Sequence, residues 1–190
     1  MLYLIAVVLG ILLGVAAKGK ISNLLKVKFE KIWIIVLAFA IQTVLRVLTV
    51  NRLDIALKYG LVIQCIVFGI LLIGFWLNRR YLGMSLIGLG CMLNAFTMAL
   101  NGGRMPVSID ALTKANMGKM LKVLQIGTDG KHMIADKTTK LFFLSDVINL
   151  PPFLGAMMPI VSIGDLIIAV GVFALVLFIV ADKRFHYDKF

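Results

Sequence analysis

The twenty residues from Ser162 to Ala181, SIGDLIIAVGVFALVLFIVA, contain a single charged side chain, that of Asp165. An apolar helix of about 20 residues is long enough to cross the hydrocarbon core of a bilayer. Four similar runs precede it, which predicts an all-α integral membrane protein. We expect one domain, a bundle of five transmembrane helices with an ordered outer loop at residues 101–161. The predicted spans lie near Met1–Ala17, Ile32–Val50, Tyr59–Leu77, Leu82–Leu100 and Ser162–Ala181.

The composition supports a membrane location and excludes several soluble classes. Apolar residues make up 61% of the chain and charged residues 15%, whereas a soluble domain has about 25% charged residues. The net charge of +11 comes from basic residues grouped between apolar runs, so we expect a lipid bilayer and no nucleic acid as partner. Cys65 and Cys91 lie inside apolar runs and His132 is isolated, so we expect no disulfide, metal or cofactor.

Basic residues in the short loops predict the orientation of the chain. Five lysines lie between positions 18 and 31, in the loop after the first span. Arg79 and Arg80 lie in the turn between the third and fourth spans. The positive-inside rule then predicts an outer N-terminus, a cytoplasmic C-terminus and an outer loop at residues 101–161. The alternative is a signal peptide cleaved after Val15-Ala16-Ala17. We favour a retained first helix because its basic residues follow it rather than precede it.

Turn and capping residues divide the outer loop. Ser108 is a helix N-cap residue, and the pattern after it predicts an amphipathic helix from Ile109 to about Gln125 on the membrane surface. Residues 132–135 and 140–144 resemble a small hairpin. Residues 141–160 are apolar but hold Pro151, Pro152 and Pro159, so we interpret them as an interfacial or re-entrant segment rather than a sixth span.

Polar side chains inside the predicted spans lie mostly in their outer halves. Polar groups inside a membrane are energetically costly, so such a cluster suggests a function. We expect them to form a pocket for a small anion, bound by the guanidinium groups of Arg46 and Arg104. The structural alternative is that the amides and hydroxyls join helices, Arg46 snorkels to the interface, and Gly102 or Gly103 ends the fourth helix. The predicted pocket comprises Gln42, Arg46, Gln64, Asn94, Thr97, Asn101, Gly102, Gly103, Arg104 and Asp165.

Common hydrolase and nucleotide-binding motifs are missing from the sequence. One partial match is Ser162-Ile163-Gly164-Asp165, which is similar to the Gly-x-Gly-Asp motif of intramembrane aspartyl proteases, with Ser in place of the first Gly. Asp146 would supply the second carboxylate of a dyad that shares one proton. A short motif of this kind is a hypothesis until its structural context agrees.

The stretch Asn101–Ser108, NGGRMPVS, resembles a family of small bacterial integral-membrane proteins known only as a domain of unknown function. Residues 145–151 and 162–165 also resemble that family, so the similarity extends over nearly the whole chain. The resemblance implies a multi-helix protein of the bacterial cytoplasmic membrane and supplies no activity.

We therefore predict a non-enzymatic multi-pass membrane protein whose outward pocket binds a small anion, a peptide or a membrane partner, which is either another membrane protein or a second copy of the chain in a homo-oligomer. The first alternative is an oligomeric small-solute transporter or channel, since five helices without a repeat do not suit alternating access in a monomer. The second alternative is an intramembrane hydrolase that uses Asp146 and Asp165.

Overall fold

All five predicted apolar runs are helical in the computed structural model, which describes residues 1–51, 53–127, 129–155 and 159–182. For residues 45–51 and 53–57 it describes the backbone alone. The boundaries lie within one residue of the predicted ones, except that the third helix begins earlier. The long helices are α1 Leu2–Ala16, α2 Trp33–Asn51, α3 Leu53–Leu77, α4 Leu82–Leu100 and α8 Ile163–Val180.

Within the part of the chain that the structure describes, three of these helices contain stretches long and apolar enough to cross a membrane. The stretches are Lys58–Leu77 in α3, Leu82–Leu100 in α4 and Ile163–Val180 in α8. Helix α1 and the first part of α2, Trp33–Val44, are shorter apolar segments. The protein is therefore mostly helical with several candidate transmembrane helices, and five full spans remain a prediction.

The long helices pack side by side in the spatial order α1, α8, α4, α3, α2. Gly10 and Gly14 allow α1 to approach α8 closely, because a Cβ at Gly14 would lie 2.6 Å from the Cβ of Val180. Small residues at this spacing are common where membrane helices meet. An apolar core joins α2, α3 and α4 on the other side of the bundle; it comprises Ile35, Ala38, Val67, Leu71, Phe75 and Met84.

The long loop folds against one end of the bundle, which we call the loop end: residues 101–161 and the helix termini that they contact. Its elements are strands β1 Met105–Val107, β2 His132–Ile134, β3 Ile148–Asn149 and β4 Ile160–Val161, and short helices α5 Ile109–Lys114, α6 Gly118–Ile126 and α7 Pro152–Gly155. Val107, Leu112 and Leu124 form a small apolar core of their own. The expectation of an ordered loop is met.

Two predictions inside the loop are wrong. The single helix after Ser108 is two helices, α5 and α6, because Asn116 adopts a positive φ of 54° between them. The predicted hairpin is also incorrect: β2 pairs in parallel with β1, and Phe142–Leu144 is a 3-10 helix. Residues 148–161 instead contain an antiparallel pair, β3 with β4.

The opposite end of the bundle, which we call the lysine end, comprises residues 18–31 and 78–81 and the C-terminus of α8. A 3-10 helix, Ile21–Lys26, lies within it. The amide of Lys20 donates to the carbonyl of Val180 at 2.9 Å, which fastens this segment to α8.

Candidate functional site

Asp165 is the centre of a hydrogen-bond network at the loop end. Its Oδ1 accepts from the Tyr3 hydroxyl and from Asn94 Nδ2, each at 3.1 Å. Its Oδ2 accepts from the Ser162 amide at 3.1 Å, while the Ser162 Oγ accepts from the Asp165 amide at 3.0 Å. This is a capping box at the start of α8, which satisfies amides that the helix leaves free.

The same network connects three helices. Ser162 Oγ also donates to Asn94 Oδ1 at 2.9 Å, so α4 is joined to the cap of α8 by both atoms of the Asn94 amide. Tyr3 adds α1. The sequence predicted Asn94 and Asp165 as neighbours, whereas it gave no reason to include Tyr3. A hydroxyl in the first turn of an apolar helix is the signal that would have found Tyr3, since buried Tyr hydroxyls usually have a partner.

Asp146 lies close to this network but is not part of it. Its backbone is held against β1, since its amide donates to Pro106 O at 3.0 Å and its carbonyl accepts from the Ser108 amide at 3.1 Å. Its half-buried carboxylate, by contrast, accepts no hydrogen bond from the residues that the structure describes. The neighbouring Ser145 Oγ is buried and likewise unpartnered within the described chain.

Burial and the negative charge of Asp165 raise the pKa of the Asp146 carboxyl, and Lys131 acts in the opposite direction; together they bring this pKa to about 7. The folded chain therefore keeps a proton on this carboxyl at a higher pH than an exposed aspartate would. Most buried polar groups in folded proteins have a hydrogen-bond partner, so the Ser145 hydroxyl, unpartnered among the described residues, is an uncommon feature beside Asp146.

Asn101 and the two glycines after it build the end of α4. Asn101 Nδ2 donates to Lys140 O at 2.9 Å, and its Oδ1 accepts from the Lys140 amide at 3.0 Å. Gly102 and Gly103 have φ values of 70° and 84°, and the Gly103 amide donates to Met98 O at 2.8 Å. That amide is engaged within the chain, which favours the helix-ending interpretation over an anion site.

The remaining predicted pocket residues do not join the Asp165 network among the described side chains. Thr97 is fully buried and its hydroxyl donates to Leu93 O within its own helix at 3.0 Å. The Oε1 of Gln64 is buried without a partner in the described chain. Gln42 and Arg104 are half-buried, and the side chain of Arg46 lies outside the described part of the structure.

Comparisons with known proteins identify relatives and supply no activity. Residues 26–177 match the profile of a family described as "Family of unknown function (DUF5317)". An uncharacterized protein of Thermotoga maritima is similar over 184 residues, with 31% identity, 97% of this chain and 91% of that protein covered. No solved structure matches.

Proposed function

We propose that this chain, which belongs to the DUF5317 family of unknown function, is a non-enzymatic multi-pass membrane protein that binds a ligand or partner segment at the loop end. The observation that carries the proposal is the buried Ser145 hydroxyl, which has no partner among the described residues, beside the Asp146 carboxyl, whose pKa is raised by burial. Leaving a buried polar group such as the Ser145 hydroxyl unpaired costs about 1–3 kcal/mol, which a bound ligand would recover.

The carboxyl groups at this end favour a peptide or a segment of a membrane partner over a small anion as the ligand. Asp146 and Asp165 repel each other, so the ligand group that meets Asp146 donates a hydrogen bond or carries a positive charge. A peptide or a segment of a membrane partner has such donors, whereas a small anion would be repelled. An anion would have to bind near Arg104 instead, where the Gly103 amide already has an acceptor.

The proposal is tested by measuring thermal unfolding of the purified chain in detergent with three sets of probes: short peptides, small amines and small anions. We expect a peptide or amine to raise the unfolding temperature of the wild type and to lose this effect in Asp146→Asn. Asp110→Asn is the matched control, because Asp110 is an exposed loop aspartate paired with Lys114 at 2.7 Å. Stabilisation by anions alone, or an effect that persists in Asp146→Asn, contradicts the proposal.

A second candidate, the aspartyl hydrolase, has one observation in its favour: Asp165 helps to raise the pKa of Asp146. A carboxyl pair that shares one proton behaves in this way. The oxygens of Asp165, however, already accept three hydrogen bonds. Hydrolysis of a membrane-segment peptide by the wild type, absent in Asp146→Asn and retained in Asp110→Asn, would favour this candidate over simple binding.

A further inference from the structure

The lysine end carries a large excess of positive charge. Five lysines between positions 18 and 31, together with Arg79 and Arg80, are accompanied by only two described acidic residues, Glu30 and Asp182. Arg80 pairs with Glu30 at 3.6 Å. Among the described residues, none of the five lysines has a carboxylate within ion-pair distance. Their charges are therefore available to an external anion.

Hydrogen bonds hold this basic segment in a defined shape. Asn78 is fully buried; its Nδ2 donates to Glu30 O at 2.9 Å and its Oδ1 accepts from the Glu30 amide at 2.8 Å. The Arg80 guanidinium and the Tyr81 hydroxyl both donate to Lys28 O. Asn23 Nδ2 donates to Val180 O at 3.1 Å. The segment is thus attached to the turn between α3 and α4 and to α8 rather than projecting from the bundle.

Large apolar side chains are exposed on the same segment. In the 3-10 helix, Leu25 is 90% exposed and Ile21 is 56% exposed. Trp33 and Trp76, at the lysine-end termini of α2 and α3, are 60% and 67% exposed. The guanidinium of Arg79 lies 4.5 Å from the ring centre of Trp76. Tryptophan and basic residues together mark the level of the lipid headgroups.

We propose that the lysine end is a binding surface for anionic phospholipids, with the side chains of Ile21 and Leu25 inserted among the upper acyl chains and the lysines in contact with the headgroups. A soluble anion would account for contacts with the lysines but not for the exposed Leu25 beside them. Short interfacial helices combine apolar insertion with attraction to anionic lipid in this manner. The proposal concerns the end opposite Asp146 and does not depend on the proposed function.

The chain has two tryptophans, and both lie at this end, so its own fluorescence reports the local lipid. We would reconstitute the full chain in phosphatidylcholine vesicles and titrate in phosphatidylglycerol or phosphatidylcholine with brominated acyl chains, which quench tryptophan. We expect phosphatidylglycerol to bind at least about fivefold more strongly, the factor given by about 1 kcal/mol for one basic residue near the surface. Added salt should reduce this preference.

The triple variant Lys20→Gln, Lys26→Gln, Lys28→Gln should lose most of the preference. The matched control, Lys119→Gln, Lys122→Gln, Lys137→Gln, removes the same charge from exposed positions at the loop end and should keep it. Equal quenching by the two lipids in the wild type, or equal loss in both triple variants, would overturn the proposal.

Insertion of the 3-10 helix is tested separately. In a Trp33→Phe, Trp76→Phe background, Leu25→Trp provides a single fluorophore at position 25. We expect strong quenching by lipids brominated near the top of the acyl chain. Fluorescence like that of fully hydrated tryptophan, without quenching at any bromine depth, contradicts the insertion of Leu25.

Discussion

At the scale of single residues, Gly164 is the position least able to accept a side chain near the candidate site. A Cβ there would overlap Asn94 Oδ1 and lie 2.8 Å from Gly90 O. Gly164→Ala should therefore displace Asn94 from Asp165 and Ser162 and lower stability by about 1–3 kcal/mol. Thermal unfolding in detergent measures the loss. In the control Gly69→Ala, on α3, the new Cβ meets nothing within 4 Å, and an equal loss there would contradict the packing argument.

The Asp146 carboxyl predicts how stability depends on pH. Because its folded pKa of about 7 lies above the ordinary value of 3.8, the folded chain holds this proton more tightly than the unfolded chain. Stability from this group is complete below about pH 4 and falls as the pH rises to about 7. Asp165 and Lys131 are the charges acting on it, and the Tyr3 hydroxyl faces it from α1.

Asp146→Asn should remove this decline and raise stability at pH 8, on the order of a few kcal/mol, with little change at pH 4. Asp129→Asn is the opposite control. Burial opposes ionisation of Asp129, but hydrogen bonds with His132 and the Lys131 amide outweigh burial and lower its pKa. Its replacement should therefore reduce stability at neutral pH. Unfolding measured from pH 4 to pH 8 checks both, and parallel curves for Asp146→Asn and wild type would refute the assignment.

At the scale of secondary-structure elements, the N-terminus of α8 depends on Ser162. Ser162→Ala removes the acceptor for the Asp165 amide and the donor to Asn94, and should lower stability by about 1–2 kcal/mol. Ser108→Ala is the comparison, because Ser108 caps α5 through one longer bond of 3.4 Å to the Ala111 amide. A smaller effect of Ser162→Ala than of Ser108→Ala, measured by chemical unfolding, would show that the cap of α8 is less important than its geometry suggests.

The elements also show what the sequence can predict. The lengths of the apolar runs predicted the ends of the long helices to within one residue in most cases. This works because a helix in an apolar run makes its backbone hydrogen bonds within the same segment. The Ser108 cap was likewise predicted correctly, since capping depends on adjacent residues. The β1–β2 pair was not, because Met105 and His132 are 27 positions apart and nothing in three-residue strands specifies a partner.

The candidate site was also predictable only in part, because its residue types are visible in the sequence but their contacts depend on long-range packing. Asn94 and Asp165 were recognised as costly polar residues in apolar helices, but which of the predicted pocket residues meet depends on how the helices pack. Asn94 meets Asp165 because Gly90 and Gly164 let α4 and α8 touch, a Cβ at Gly90 lying 2.5 Å from Gly164 O. The sequence could not predict that the Ser145 hydroxyl is buried without a partner in the described chain, because this depends on how the loop packs.

At the scale of the whole molecule, the bundle has two chemically different ends. At the loop end, residues 101–161 combine seven basic residues with four aspartates, Asp146 among them. At the lysine end, five lysines have no described carboxylate within ion-pair distance. The transporter or channel alternative requires a polar path between the two ends. This alternative stays a prediction. Solute flux into liposomes that contain the wild type, and its loss in Asn94→Ala, would support it.

The proposal of a ligand outside the cell depends on which end of the bundle faces outward. The lysine end should face the cytoplasm, because short basic loops are retained there, and the loop end should face outward. In a Cys65→Ala, Cys91→Ala background, Lys137→Cys places a single thiol at an exposed loop position and Ser22→Cys one at the exposed lysine end. A membrane-impermeant maleimide applied to intact cells should label position 137 and leave position 22 unlabelled until the membrane is permeabilised. The reverse pattern would move the Asp146 site to the cytoplasmic side, so that its ligand would have to be an intracellular peptide or membrane partner.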